Sequence, residues 1–337
     1  MINAAILGLG RWGQTFVRAV QKGRSSEIQF IAAQTRSPDK ARAFCAEHGV
    51  PLVASYQDIL SDPKVDVVVL ATPHSQHEAQ VKAAAAAGKH ILVEKPIALT
   101  RQSAEICAAA ARTAGVVLAV GFNRRFHPSI VELRRRLRAG DLGKLVMMVG
   151  QQTSGTGPVL PCDEWRLNPE ESPAGALTAV GVHAIDHMIE FAGPVREVLA
   201  VASRRGIDHA EDTTTIHLTF ASGVSATMAC ALSTAPNFSF TVYGTKGLVE
   251  ISHISLKDVR FVPAPDSYPT GPVVAPPPEL TEHKGVDMLK IELETLARAI
   301  KDKTPYPVPI EEILHGMSVF DAIVLSSKTG RVVAVKA

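Results

Sequence analysis

Residues 4–13, AAILGLGRWG, decide the fold class of this chain. An apolar run ends in Gly8-Leu9-Gly10-Arg11-Trp12-Gly13, which matches G-x-G-x-x-G, and a helix is predicted from about Gly13 to Lys22. The first glycine permits a tight turn, the second lets the backbone approach a pyrophosphate, and the third lets helix and strand pack closely. The helix N-terminus offers free N–H groups and a positive dipole end to phosphates. Because the motif sits between a strand and a helix, it predicts a dinucleotide site rather than a ligand-free glycine-rich turn.

The first 120 residues alternate apolar runs with helical segments. The runs are AAILGLG, IQFIAAQT, DVVVLAT, HILVEK and VVLAV. Helices are predicted between them at about 13–22, 38–48, 75–88 and 100–114. Continuous apolar strands separated by amphipathic helices indicate a parallel sheet covered on both faces. We therefore predict an α/β fold with an N-terminal, doubly wound Rossmann domain over residues 1–122.

The pattern changes after Gly121. Helices are predicted at about 128–139 and 175–191, on either side of a loop rich in Gly and Pro (154–173). The strand-like segments EVLAVASR, TTTIHLTF, VSATMACAL, FSFTVYG and LVEIS then follow one another without intervening helices. A Pro-rich loop (263–278) and two helices, about 288–301 and 310–328, complete the chain. This order predicts an α+β domain over residues 123–337 with a mostly antiparallel open sheet.

Composition and charge argue against several classes of partner. The chain of 337 residues has 46% hydrophobic and 20% charged residues and a formal charge of +2, which gives no strong attraction to nucleic acid or to anionic membranes. The basic run from Arg134 to Arg138 alternates with apolar residues, so a solvated helix face is the expectation. No apolar run approaches the roughly 18 residues that span a bilayer. The N-terminus lacks signal-peptide features and the four cysteines form no C-x-x-C pair, so we expect a soluble, cytoplasmic protein.

The end of the second apolar run bears on the choice of dinucleotide. A carboxylate that grips the ribose 2′-OH is expected there, about 20 residues after the glycine motif. The sequence instead has Thr35-Arg36-Ser37. A hydroxyl group followed by a guanidinium suits a 2′-phosphate, so NADP(H) is the expected cofactor, with NAD(H) as the second choice. The alternative interpretation of Arg36 is a solvent-facing arginine in a loop.

Glu94-Lys95-Pro96 closes the run HILV, at the sheet edge where open α/β sheets bind their ligands. Pro96 restricts the preceding residue to extended conformations. The alternative interpretation is an exposed ion pair at a strand end.

Several segments together resemble the glucose–fructose oxidoreductase and inositol dehydrogenase family. They are GLGRWG, TPHSQHEAQVKAAAAAGKHILVEKP, WRLNPEESPAGAL, GVHAID and NFSFTVYGTKGLVEI, which cover nearly the whole chain in the family's order. The resemblance implies an NAD(P)-dependent dehydrogenase or reductase that transfers a hydride at a hydroxyl or carbonyl carbon of a sugar, polyol or related cyclic diol. It also implies that the second domain binds substrate and makes the subunit contacts of a homodimer or homotetramer.

The resemblance also assigns roles to individual residues. Lys95 corresponds to a lysine that touches the nicotinamide ribose and the substrate, and His183 to the acid/base histidine of the second domain. The family commonly has an aspartate four residues before that histidine, where this chain has Ala179. The candidate catalytic residues are therefore Lys95 and His183. The candidate cofactor-binding residues are Gly8, Gly10, Arg11, Trp12, Gly13, Thr35, Arg36, Ser37, Thr72, His74, Glu94, Lys95, Trp165 and Arg166.

Two other function classes stay open on the sequence. His183, Asp186 and His187 share one helix face by spacing, and a metal-dependent hydrolase would use the two histidines as ligands. No H-E-x-x-H pattern or acidic third ligand accompanies them, so no metal is expected. A non-catalytic sensor or regulator of the same fold is the alternative that Ala179 favours. Asp186 either supplies the missing carboxylate from one turn further on or faces the domain core.

Overall fold

The chain folds into two compact units in the computed structural model, which describes residues 1–265 and 276–336. Residues 1–123 and 287–317 form the first unit, and residues 124–286 and 318–337 fall in the second. In chain order the elements are β1 (Ile2–Leu7), α1 (Arg11–Val20), β2 (Ile28–Gln34), α2 (Pro38–His48), α3 (Tyr56–Ser61), β3 (Val67–Leu70), α4 (His77–Ala86), β4 (His90–Val93), α5 (Arg101–Ala114), β5 (Leu118–Val120), α6 (Pro128–Ala139), β6 (Leu145–Thr153), α7 (Val182–Ala192), β7 (Val195–Ser203), β8 (Thr213–Phe220), β9 (Ser225–Ala231), β10 (Asn237–Gly244), β11 (Gly247–Ser252), β12 (Asp258–Pro263), β13 (Glu279–Glu282), α8 (Met288–Asp302), α9 (Ile310–Thr329) and β14 (Val333–Ala334).

The first unit is built on a parallel sheet of five strands in the order β2-β1-β3-β4-β5. All four residues of β3 are fully buried, because a central parallel strand has helices over both of its faces. The strand order reverses between β1 and β3, which is the place where doubly wound sheets open a crevice for ligands. The predicted Rossmann sheet is confirmed, and the short helix α3, which the sequence analysis did not predict, is held by a capping box between Ser55 and Asp58.

Residues 287–317, near the C-terminal end, belong to the first unit. The predicted division instead assigned all residues after 122 to the second domain. Helix α8 packs on α1 and β2 through the buried residues Leu289, Leu293 and Leu296. A hydrogen bond of 2.8 Å from Ser25 Oγ to Glu294 Oε1 joins α8 to the loop after α1. The apolar stripe of α8 thus completes the core of the first unit, and no sequence pattern indicated which unit would receive it.

The second unit is built on a sheet of nine strands in the order β13-β12-β11-β10-β6-β9-β8-β7-β14. Every neighbouring pair is antiparallel except β6 and β9, so the predicted, mostly antiparallel sheet is confirmed. The sequence analysis did not predict β6, β12, β13 and β14. Most of the predicted Pro-rich loop at 263–278 lies outside the described residues.

The two faces of this sheet differ in character. On one face the buried side chains of Phe238, Phe240 and Met148 lie under α7. The opposite face presents Leu199 and Val201 of β7 to solvent together with polar neighbours on β8 and β9, and a hollow of about 420 Å³ opens there. The open sheet therefore has one packed face and one exposed face with apolar side chains.

The helix predicted at 175–191 begins in a different form from the one expected. Residues Leu177–Gly181 make a π-helical turn, and the regular helix α7 starts only at Val182. Gly181 packs against Cys230 of β9, where a Cβ would approach the sulfur to 3.0 Å. Such π-turns recur at functional sites, and this one immediately precedes His183.

Candidate active site

The glycine loop between β1 and α1 is shaped by close backbone contacts at two of its three glycines. Gly8 has a φ of +97°, and a Cβ there would collide with the carbonyl oxygen of Ala71 at the end of β3. A Cβ on Gly13 would collide with the carbonyl oxygen of Gly8. Only glycine fits either position, since the turn is tight and α1 lies directly against it.

Gly10 is different, because a Cβ there would meet no atom of residues 1–265 or 276–336 within 4 Å. Its φ of −67° is also one that any residue adopts. No contact in the described part of the chain therefore explains a glycine at this position, whereas the close approach of a ligand does. Gly10 is the N-cap of α1, no side chain caps that helix end, and no acidic residue occupies its first turn. These residues fit the pyrophosphate of a dinucleotide.

A hydrogen bond joins the glycine loop to the end of β4. Trp12 Nε1 donates to Glu94 Oε1 over 2.6 Å, and Glu94 is largely buried. The carboxyl group of Glu292 on α8 is fully buried nearby, and burial together with the negative charge of Glu94 raises its pKa well above its usual range. The indole N–H of Trp12 is thus engaged within the protein, and its bond to Glu94 joins the glycine loop to the end of β4.

The ends of β3 and β4 are tied together by His77, which is fully buried at the start of α4. Its Nδ1 lies 3.1 Å from the carbonyl oxygen of Pro96, and its Nε2 lies 3.1 Å from that of Thr72. The Thr72 hydroxyl donates to Gln80 Oε1 over 2.6 Å. His77 therefore fixes the segments that carry two predicted cofactor contacts, Thr72 and His74, and it fixes the backbone beside Lys95.

The residues expected to decide between NADP(H) and NAD(H) lie at the end of β2. Gly8 N donates to the carbonyl oxygen of Gln34 over 2.9 Å, which places the end of β2 beside the glycine loop. Thr35 is half-buried, while Arg36 and Ser37 are exposed. Arg36 makes no ion pair with any residue in 1–265 or 276–336. The nearby carboxylate of Asp39 is engaged by Arg42 over 2.9 Å.

His183 is the second residue of α7 and is largely buried. Ala179, in the π-turn, offers a methyl group at the position for which the resemblance implies a carboxylate. Asp186 does not replace that carboxylate, because Arg125 binds it through two hydrogen bonds of 2.7 Å and 2.6 Å inside the second unit. Of the two possibilities for Asp186, the structure has the one in which it faces the core.

His187, the second histidine of the considered metal pair, lies in the core of the second unit. Its ring stacks on Phe191 and packs at a tilt against Phe240. Among the residues that the structure describes, no cluster of three or more His, Cys, Asp or Glu side chains could hold a metal ion.

Trp165 and Arg166 form a stacked pair in a short 3₁₀ turn (Trp165–Leu167) of the second unit. The guanidinium carbon of Arg166 lies 4.2 Å from the centre of the Trp165 ring, and its Nη1 donates to Glu164 over 2.9 Å. Leu167 anchors this turn in a small apolar cluster with Ile207 and Ala210.

The predicted site residues fall into two groups. Those at the carboxyl edge of the parallel sheet come together around the ends of β1, β2, β3 and β4, whereas Trp165, Arg166 and His183 belong to the second unit. From the sequence, His77 is expected to serve as a helix cap or a cofactor contact, like His74, rather than as a metal ligand. Its two carbonyl partners appear only in the fold.

Family profiles match most of the chain. A profile described as an oxidoreductase family with an NAD-binding Rossmann fold, GFO/IDH/MocA, matches residues 2–122, and the profile of the GFO/IDH/MocA C-terminal domain matches residues 130–250. The chain belongs to the GFO/IDH/MocA oxidoreductase family. As a member of that family, it is an NAD(P)-dependent dehydrogenase or reductase with a dinucleotide-binding Rossmann unit.

Individual relatives agree with this membership in the GFO/IDH/MocA family. The chain is 27% identical over 317 residues to trans-1,2-dihydrobenzene-1,2-diol dehydrogenase of Homo sapiens, which covers 92% of each chain. An aldose-aldose oxidoreductase from Caulobacter crescentus, crystallised with glycerol, has 26% identity and a TM-score of 0.85, with 99% of each chain covered. Levoglucosan dehydrogenase in complex with NADH and L-sorbose has a TM-score of 0.88 over 99% of each chain, and at 21% identity it shows the shared fold alone.

The described part of this family member contains no helix that is both long and apolar enough to cross a membrane.

Proposed function

We propose that the protein catalyses reversible hydride transfer between a nicotinamide dinucleotide and the hydroxyl or carbonyl carbon of a sugar, polyol or related cyclic diol. The observation that carries this proposal is the glycine loop, in which Gly10 leaves open space beside the N-terminus of α1. The names of the relatives support a CH–OH substrate, since they include a dihydrodiol dehydrogenase and an aldose oxidoreductase.

Two side chains carry the chemistry in this proposal. A bound nicotinamide dinucleotide accepts or supplies the hydride. Lys95, which follows β4, places its ammonium group against the reacting oxygen and stabilises negative charge there. His183 removes the hydroxyl proton in oxidation and returns it in reduction. Ala179 provides a methyl group and no carboxylate in the π-turn, so the side chain at that position does not stabilise the protonated imidazole of His183.

We further propose that the protein prefers NADP(H). The exposed guanidinium of Arg36 and the hydroxyl groups of Thr35 and Ser37 support binding of a 2′-phosphate, and no carboxylate stands at the end of β2 to hold a 2′-OH instead.

The second unit is proposed to bind the substrate and to form a homodimer or homotetramer. The exposed face of its sheet, with Leu199 and Val201 in solvent, supports the subunit contact.

A substrate panel tests the proposed reaction. Sugars, polyols and dihydrodiols are incubated with NADP⁺ or NAD⁺, and formation of the reduced nicotinamide is followed by its absorbance. We expect turnover with at least one compound and its near-complete loss in Lys95→Ala, while dinucleotide binding stays within about tenfold. Wild-type turnover in Lys95→Ala would remove Lys95 from the chemistry.

A sensor or regulator that binds the dinucleotide without turnover is the second candidate, and Ala179 is the observation that favours it. The pH–rate profiles of wild type, His183→Ala and Ala179→Asp separate the two. An enzyme loses activity in His183→Ala, and Ala179→Asp raises the activity or shifts its pH dependence upward, because a carboxylate stabilises the imidazolium. A protein that binds NADP(H) and turns over nothing is the sensor.

A further inference from the structure

Arg124, the first residue of the second unit, is placed unusually for a cation. Its side chain is only half-buried, and its guanidinium carbon lies 5.0 Å from the centre of the Phe238 ring on β10. Its Nη1 donates to Gln152 Oε1 on β6 over 2.7 Å. Burial lowers the pKa of Arg124 to about 10, and the side chain remains a cation at neutral pH.

Arg124 has no carboxylate partner among residues 1–265 and 276–336. The other arginines described in the second unit are either exposed to solvent or engaged in ion pairs, as Arg125 is with Asp186 and Arg134 with Glu190. A partly desolvated guanidinium without a counter-ion is costly for a protein to keep. Such a group is explained when an anion from outside the chain completes it.

The group that holds Arg124 adds a second donor. Since a guanidinium only donates, Gln152 must turn its carbonyl oxygen toward Arg124, which leaves the amide NH₂ of Gln152 facing elsewhere. Gln152 itself is buried. The pair therefore keeps N–H groups in reserve, those of the guanidinium that Gln152 does not engage and the amide NH₂ of Gln152, and an oxyanion requires such donors.

These residues lie on the face of the sheet that α7 covers. Along β6, Gly150 and Gln152 point to that face, and a Cβ on Gly150 would lie 3.5 Å from the Cβ of Ala184. Ala184 directly follows His183, and β6 also contacts the π-turn before it. Gln152 is thus two residues along β6 from Gly150, where the strand packs against the beginning of α7.

We propose that Arg124 and Gln152 bind an anionic group of the substrate, so that the preferred substrate is an acidic sugar or polyol whose carboxylate pairs with the guanidinium. This inference rests on the proposed function and deepens it by naming the substrate class. A planar carboxylate matches the fork of a guanidinium, which favours it over a hydroxyl group as the partner. A phosphate group of the dinucleotide is the other source of an oxyanion, and the experiment below distinguishes the two.

Matched substrate pairs provide the test. D-Glucuronate is compared with D-glucose, and D-gluconate with D-glucitol, by kcat/KM and by calorimetric titration into the protein saturated with NADPH. We expect the acid of a pair to be preferred in wild type, and Arg124→Met to lower kcat/KM and affinity for that acid by about 10- to 100-fold, while the neutral compound changes by less than about threefold. Arg124→Lys retains part of the preference, because the charge remains without the fork.

Two further variants act as controls. Arg138→Met removes an exposed cation from α6 of the same unit and leaves the preference unchanged. Gln152→Glu supplies Arg124 with an internal carboxylate, so it keeps the fold and abolishes the preference for acids. This second variant decides the question should Arg124→Met fail to fold.

The outcomes separate this inference from the proposed function. Equal use and equal binding of acids and neutral compounds overturns the role of Arg124 while leaving the dehydrogenase intact. A loss of NADPH affinity in Arg124→Met, with unchanged binding of acids, assigns the guanidinium to the cofactor instead and also overturns the inference. Absence of turnover on every compound overturns the proposed function, and the calorimetric titrations then still decide whether Arg124 binds the carboxylate.

Discussion

At the scale of single residues, two exposed arginines near β2 differ in what surrounds them. Arg42 on α2 is paired with Asp39, whereas Arg36 has no ion partner among the described residues and stands where the ribose of a dinucleotide is expected. The distinction matters because a surface cation that already pairs with a carboxylate adds little to the binding free energy of a phosphate.

We therefore expect Arg36→Ala to weaken NADP(H) binding about 10- to 100-fold and to change NAD(H) binding by less than about twofold, since only the 2′-phosphate needs the guanidinium. Fluorescence or calorimetric titration of both cofactors measures this. Arg42→Ala serves as the control and leaves both affinities unchanged. Equal affinities for the two cofactors before and after the Arg36 change would contradict the proposed preference.

A second single-residue effect concerns stability at acid pH. His127, the N-cap of α6, is buried and accepts a hydrogen bond from Ser129 N at its Nδ1, so the ring must be neutral. Burial, with smaller effects from the charges of His283 and Arg124, lowers the pKa of His127 to about 4. The unfolded chain binds a proton here near pH 6.5 and the folded chain does not, so stability is complete above that pH and declines as the pH falls toward 4.

We expect His127→Asn to reduce the acid-dependent loss of the free energy of unfolding by on the order of 2 kcal/mol, because asparagine also caps a helix but takes up no proton. Urea unfolding at several pH values from 4 to 7 measures it. His253 makes the same hydrogen bond to Ser255 N on the surface, and His253→Asn is the matched control with an unchanged pH dependence. Parallel stability curves for wild type and His127→Asn would contradict the expectation.

At the scale of elements, the β1–α1 loop separates glycines that the fold needs from one that the ligand needs. We expect Gly10→Ala to leave the melting temperature of the free protein unchanged within about 1 °C, because the added Cβ meets no described atom. The same Cβ stands where the pyrophosphate approaches the backbone, so dinucleotide binding weakens at least about tenfold. Gly13→Ala should lower the stability itself by about 2 kcal/mol or more, since its Cβ collides with the Gly8 carbonyl. Melting curves with and without NADPH distinguish the two, and equal destabilisation of the free protein by both would refute the separation.

The sequence predicted the parallel sheet well because buried strands and capped helices leave strong local signals. The helix predicted at about 100–114 is an example, since Thr100 caps α5 and Gly115 ends it in the left-handed region. The strands that escaped prediction carry no such signal. β13 (Glu279–Glu282) is polar and forms only by pairing with β12 at the sheet edge. β6 contains Met-Met and Gly150, and it lies in the centre of the sheet with α7 packed against that glycine.

The candidate site shows the same division between local and tertiary information. The glycine loop and the Thr35–Ser37 segment follow from motif and spacing, and the role of Lys95 is implied by the family resemblance. The bond from Trp12 to Glu94, the contact of His77 with Pro96 and the bond from Arg124 to Gln152 join residues that are 82, 19 and 28 positions apart. No pattern of one short segment encodes such contacts, so they required the fold.

At the scale of the whole molecule, the exposed sheet face of the second unit is the feature with the clearest consequence for assembly. Val201 is 57% exposed and Leu199 is 39% exposed on β7, beside the hollow of that face. If this face forms the subunit contact, Val201→Glu converts the oligomer to a monomer, because a charge cannot be buried there unpaired. Light scattering after size-exclusion chromatography measures the mass. Val159→Glu, at another exposed apolar residue, is the control, and a wild-type monomer would refute the proposed assembly.

The return of α8 and the first turns of α9 to the first unit also constrains the order of synthesis. When residues 1–123 have left the ribosome, the side of α1 that α8 will cover is still bare, and it stays so while all of residues 124–286 are made. The dinucleotide-binding unit is therefore the first to emerge from the ribosome, but its folding cannot be completed until residues 287–317 have been made. We expect its nascent form to expose apolar surface until α8 has been made, and transiently exposed apolar surface of this kind is what chaperones bind.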